Sequence, residues 1–322
     1  MCGERLIGAI NLGEGWRYNG PIFDAHTHIG AIDEIDEMIK VEEKYGVKRQ
    51  LGIVHDVDGF EAAKERYGER FVFAKYLSLK DIAQFNVGPV LAQIETLLDE
   101  GYKVAKTWFG PRWRDWHTVA MGFRVDHPKL SPIYEALVEH DIPFIIHIGD
   151  PDTYYGNQYR DSEKYGTKER HLMELENLLE GYPGLRFQIP HFAAQPEISR
   201  LPHLEEWMEK YPNFVMDTAS SRWMARELSK DTEKSREFII RYQDRVLFGT
   251  DLFARKSDDL PYYDGRYVAQ RILWETEDRG TPLPFNDADT EKTGGTYING
   301  LDLPDRVLKK LYWDNANSFY GV

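Results

Sequence analysis

Cysteine is almost missing from this chain. Cys2 is the single one in 322 residues, which excludes an intramolecular disulfide and any cysteine-cluster zinc site. Positive charge is also short: 40 Lys and Arg stand against 54 Asp and Glu, for a net charge of −14. The clustered cations that a nucleic-acid backbone requires are therefore lacking. No apolar run approaches the ~20 residues of a membrane-spanning helix, and 1–20 has neither the basic start nor the continuous apolar segment of a secretory signal. The expectation is a cytoplasmic protein with no nucleic-acid or membrane partner. No repeat of ~20–50 residues recurs, which argues against a solenoid.

What the chain does contain is ordinary for a globular protein, with 42% hydrophobic and 29% charged residues. Short apolar runs fall at 22–29, 50–56, 71–77, 103–109, 142–148, 186–192, 213–219 and 245–252. Helical spacing of apolar residues separates them, at 33–45, 59–67, 87–100, 131–140, 168–180, 204–210, 224–242 and 267–279. Strand alternating with helix eight times predicts a single α/β domain, a (β/α)8 TIM-type barrel, with an open doubly wound sheet as the runner-up. Residues 1–20 read as an N-terminal extension, 281–300 as an irregular Pro/Gly/Asp-rich excursion and 304–320 as a C-terminal helix. The segments after strands are long at 110–129, 149–167 and 253–266, whereas most segments after helices are short. In a barrel the former build the C-terminal face, where active sites lie.

The first run ends in Phe23-Asp24-Ala25-His26-Thr27-His28. Side chains at i and i+2 of a strand share a face, so Asp24, His26 and His28 project together and two imidazoles form a chelate. Further chemistry-bearing groups fall at the ends of other runs: His55, Lys106, His147, His191 and Asp251. His28 and His147 are separated by four β/α units of about thirty residues. Alternation puts His147 on the face of Ile145, His191 on the face of Phe187 and Ile189, and Asp251 on the face of Leu247 and Gly249, so all three can point into a barrel.

The segment from Trp108 to Trp116 is dense in aromatics and carries Arg112 and Arg114. Aromatic residues line small-molecule pockets and arginine pairs bidentately with carboxylates; a subunit contact is the equal alternative. Trp108, Arg112, the strand-4 Lys106, His55 and Arg222, the last at the rim after the seventh run, are the candidate substrate contacts. His117, His127, His140, His171 and His203 read as surface histidines.

Taken together, Phe23-Asp24-Ala25-His26-Thr27-His28, Ile146-His147, Pro190-His191-Phe192, Phe248-Gly249-Thr250-Asp251 and Asp314-Asn315-Ala316-Asn317 resemble the amidohydrolase superfamily. The branch most similar is the amidohydrolase-related one that contains aminocarboxymuconate-semialdehyde decarboxylase and several small-molecule hydrolases. The resemblance implies that His26, His28, His147 and Asp251 hold one divalent metal, that Asp251 also accepts a proton from a bound water, and that His191 acts beside it as acid/base. Asp24 would support the site from behind. Zinc is the metal expected, with manganese, iron and cobalt as alternatives. Lys106 either contacts a substrate anion or, as a carboxylated lysine in part of the superfamily does, bridges two metals. The implied activity is metal-dependent hydrolysis of a small, cyclic or aromatic, carboxylated compound. Non-oxidative decarboxylation is the alternative. A homodimer or higher homo-oligomer is the assembly expected.

Overall fold

The computed structural model describes residues 15–255 and 260–322. Cys2, most of the N-terminal extension and 256–259 of the loop after the eighth run lie outside the described residues. In chain order the main strands are β1 (Ile22–Ile29), β2 (Val47–Val54), β3 (Phe71–Tyr76), β4 (Val104–Trp108), β5 (Phe144–His147), β6 (Phe187–Ile189), β7 (Phe214–Asp217), β8 (Val246–Leu247) and β9 (Leu252–Phe253). Helices stand between them, so the fold is the expected (β/α)8 TIM type, with a ninth short strand.

The chain divides into two compact units. The first takes in the described parts of Met1–Val72, Pro196–Leu201 and Asp217–Val322. Here β1 pairs in parallel with β2 and with β9. All eight residues of β1 are buried, as expected of a parallel strand covered on both faces. The helix Ile32–Lys44 lays Ile35, Met38, Ile39 and Val41 inward, the i, i+3, i+4 stripe that its sequence encodes. The second unit, Phe73–Gln195 with Pro202–Met216, runs through parallel ladders in chain order from β3 to β7.

Several expected boundaries shift for physical reasons. The run 245–252 is not one strand: the ladder stops at Leu247 and resumes at Leu252, with Asp251 at φ 62° in between. The sixth strand ends at Ile189, because Pro190 lacks an amide to donate and His191 to Ala194 all take positive φ, from 53° to 60°. Such left-handed residues cost ~1–2 kcal/mol each. The long helix expected at 224–242 is two, Ser221–Leu228 and Thr232–Arg241, since Asp231 accepts the Lys234 amide at 3.1 Å and restarts the second. The helix expected from 267 begins at Leu260.

The excursion at 281–300 holds a two-residue antiparallel pairing of Thr281–Pro282 with Tyr297–Ile298. Buried Arg226 grips it, donating to Asp287 at 3.0 Å and to Asp289 at 2.7 Å. The C-terminal helix runs from Asp305 to Tyr320 with a π-turn over Lys310–Asp314.

Candidate metal centre

In the first unit, His26 and His28 leave β1 on one face, and the chain between β8 and β9 folds back to set Asp251 against them. The Asp251 amide donates to the His26 carbonyl at 2.9 Å. Gly249 permits this closeness, for a Cβ there would stand 3.0 Å from the His26 Cβ. The three side chains offer ligand atoms that all lie within 4.8 Å of one another. Asp251 Oδ1 is 3.2 Å from His28 Nε2 and 3.6 Å from His26 Nε2.

Each imidazole is fixed through its other nitrogen. His26 Nδ1 lies 2.9 Å from the buried Asp217 carboxylate and His28 Nδ1 lies 2.8 Å from His55 Nε2. With protons on the two Nδ1 atoms, both Nε2 lone pairs face Asp251. The His28 ring also stacks on Phe253, centroids 3.9 Å apart. Burial lowers its pKa to about 3 against the opposing pull of Asp251, so it is the neutral, ligating form near pH 7.

Asp24 serves the backbone. Its Oδ1 accepts the amides of His26 at 3.2 Å and Thr250 at 3.1 Å, and its Oδ2 accepts the hydroxyls of Thr250 at 2.6 Å and Tyr267 at 2.9 Å. It thereby ties the strand of the two histidines to the turn of Asp251. Burial raises its pKa to about 7, in spite of the Thr250 bond.

The donor set fits a divalent cation. A four-coordinate ion with bonds of ~2.0–2.1 Å keeps its donors about 3.3 Å apart, close to the two separations here. Imidazoles oriented by a carboxylate on the remote nitrogen are what metal sites use to fix tautomer and direction.

A second imidazole cluster lies in the second unit. His147, at the end of β5, has Nε2 3.0 Å from Asp150 Oδ1 and Nδ1 3.0 Å from His191 Nε2. Tyr159 donates to Asp150 Oδ2 at 2.5 Å and the buried Lys168 to the Asp150 carbonyl at 2.5 Å. Burial pushes the Asp150 carboxyl up, but His147 and Tyr159 outweigh it and hold the group below its ordinary value. His191 reaches His147 from the left-handed turn after Pro190, not from the strand alternation expected of it; Asp251 likewise sits off the ladder. Both occupy backbone conformations that side chains other than glycine rarely adopt, as functional sites often do.

Trp108 meets the His147 ring edge-on, centroids 5.9 Å apart, and stacks on Trp116 at 5.5 Å. Lys106 is buried on β4. Arg112 is exposed, with its guanidinium 5.6 Å above the Trp116 ring. Arg222, in the helix after β7, lies 5.6 Å from the Trp223 ring centre. His55 is exposed and holds His28. His171, expected at the surface, is buried, its Nδ1 3.1 Å from the Ile148 carbonyl.

Asp217 and Asp150 escaped the sequence reading. Asp217 ends a strand-like run and could have been noticed there; Asp150 follows Gly149 in a loop and carried no such signal. Arg266 is a third: it donates to the Tyr262 carbonyl at 2.8 Å, and it feels the charges of Asp251 and Arg222.

Similar solved structures share this fold. A probable 2-pyrone-4,6-dicarboxylic acid hydrolase from Acinetobacter baumannii, with citric acid bound, is 9% identical over 94% of this chain and 99% of its own, with a TM-score of 0.58. The 5-carboxyvanillate decarboxylase of Novosphingobium aromaticivorans, complexed with manganese and 4-hydroxy-3-methoxy-5-nitrobenzoic acid, is 14% identical over 97% and 99%, with a TM-score of 0.55. That of Sphingomonas paucimobilis is 12% identical over 94% and 99%, at 0.55. No curated protein matches the sequence. Residues 24–322 match the family model described as amidohydrolase, a span that runs from the Asp24 beneath the two histidines to the last residue; the chain belongs to the amidohydrolase family.

Proposed function

We propose that this amidohydrolase hydrolyses a small, cyclic or aromatic, carboxylated compound with the help of one zinc ion held by His26, His28 and Asp251. The observation that carries the proposal is the approach of two oriented imidazoles to one carboxylate oxygen at 3.2 and 3.6 Å. A divalent ion bound there would bring the pKa of a coordinated water toward about 7 and polarise a carbonyl.

The chain's own groups do the rest. Asp217 and His55 keep the protons of His26 and His28 on Nδ1 and so present Nε2. Asp251, partly exposed, has a second oxygen with which to take the proton of an attacking water. The motif resemblance gives His147 a place in the ligand set and gives His191 the proton for the leaving group. Both nitrogens of His147 are engaged in the structure, so ligation through Nε2 requires it to exchange Asp150 for the ion. Arg222 and Arg112 are proposed to bind the substrate carboxylate, and Trp108 its ring; Lys106 is a candidate for a second anionic group.

Decarboxylation is the second reading, since two of the similar folds are named as decarboxylases. The same residues would then hold the substrate while a proton replaces CO2 on carbon. One assay separates the two. Zinc-loaded protein is incubated with a panel of aromatic mono- and dicarboxylates and cyclic carboxylated esters and amides, and ring-opened or cleaved acid is measured beside released CO2. Cleaved acid without CO2 is expected. CO2 without cleavage would replace hydrolysis by the second reading, and neither product would overturn both.

A further inference from the structure

A cavity of about 230 Å³ opens in the second unit, and none of the residues that line it has a catalytic role in the proposed function. Its lining includes Arg114 from the loop after β4, Glu163 and Lys164 from the loop after β5, Arg170 from the first turn of the helix Lys168–Gly181, and the backbone of Gly122 and Gly166. That volume holds several waters or one small anion.

The cations in it are not equivalent. Lys164 is bound by Asp115, and Arg170 donates to Glu174 at 2.8 Å. Glu174 also accepts the Val125 amide at 3.2 Å, and Asp115 also accepts the Tyr165 hydroxyl at 2.9 Å, so both carboxylates are committed elsewhere. Arg114 makes no hydrogen bond or ion pair among the described residues. Its guanidinium lies 5.4 Å from the Trp113 ring centre and its Nε is buried without an acceptor. Leaving a guanidinium N–H buried and unpaired is costly. Burial lowers the Arg114 pKa; the charge of Glu174 opposes the shift and Arg170 adds to it. Glu163 is solvent-exposed.

We propose that this cavity is a binding site for a small anion, a phosphate or carboxylate group, that takes Arg114 as its principal partner with Arg170 and Lys164 beside it. Arginine suits such a ligand because its planar fork meets two oxygens at once. The bound anion would join the loop after β4, which carries Arg112, to the loop after β5. The site thus couples an anion other than the substrate to the loops that follow Trp108 on β4 and His147 on β5.

Calorimetric titration of the zinc-loaded protein with inorganic phosphate and, separately, with succinate, at constant ionic strength, tests it. Saturable binding is expected for at least one anion, weakened at least about tenfold in Arg114→Gln, partly restored in Arg114→Lys and retained in Asp251→Asn. A rise in thermal midpoint with the anion, lost in Arg114→Gln, should accompany it. Tighter phosphate assigns a phosphate-bearing ligand and tighter succinate a carboxylate. Absence of saturable binding, binding unchanged in Arg114→Gln, or binding lost in Asp251→Asn would overturn the proposal.

Discussion

His26 and His147 are both imidazoles borne by strands and both sit within 3.0 Å of a buried aspartate, yet the aspartates hold opposite nitrogens. Asp217 holds His26 by Nδ1 and directs Nε2 toward a carboxylate; Asp150 holds His147 by Nε2, and His191 takes Nδ1. Held by Nδ1, His26 keeps Nε2 turned toward Asp251, whereas His147 has both ring nitrogens in hydrogen bonds. The nitrogen that is held is decided by a partner far away in sequence, Asp217, in one case and three residues on, Asp150, in the other.

That contrast can be broken by mutation. The largest effect is expected of His26→Ala and Asp251→Asn. Each should abolish stoichiometric metal binding and lower kcat/KM by about 10³-fold or more, the loss of several kcal/mol of transition-state stabilisation. Metal analysis with the activity assay checks this, and circular dichroism confirms folding; retained metal in both variants would contradict it. His191→Ala should come next, lowering kcat by ~10²–10⁴-fold, the usual worth of a positioned acid, with metal content unchanged. Loss of metal in that variant would move His191 from acid to ligand. Asp217→Asn should weaken metal affinity by ~10–100-fold, as the removal of a group orienting a ligand does; chelator competition measures it.

The smallest effect concerns stability. Burial lowers the pKa of His171 to about 4 from an ordinary 6.5, Arg114 adds to the shift and the Ile148 carbonyl opposes it. The fold therefore favours the neutral ring, and the unfolded chain binds the proton first as pH falls. The stability this ring contributes is complete above pH 6.5 and is lost on going down to about 4. His171→Gln should flatten the fall in Tm across that window by a few degrees relative to the parent. Parallel curves would count against it.

The expectations that held were those resting on continuous burial and period-two spacing. β1 occupies 22–29 because all eight of its residues are interior, and His26 and His28 bring their ligand atoms together although the register with β2 shifts between Asp24 and Thr27. Alternation failed where the backbone leaves the ladder, at Pro190-His191 and at Asp251, because a strand pattern carries no sign of positive φ. Gly249 hinted at such a close approach. Asp217 and His26 lie far apart in sequence, and no local signal joins an aspartate to a histidine over that span. The break between Leu228 and Thr232 was written in Asp231, an N-cap residue within an otherwise helical pattern.

The central claim is that two histidines and one aspartate of the first unit bind a single catalytic cation. It is tested most directly by counting metal equivalents per chain after loading with zinc and removing the excess. One equivalent is the result this account predicts; none, or two, would contradict it.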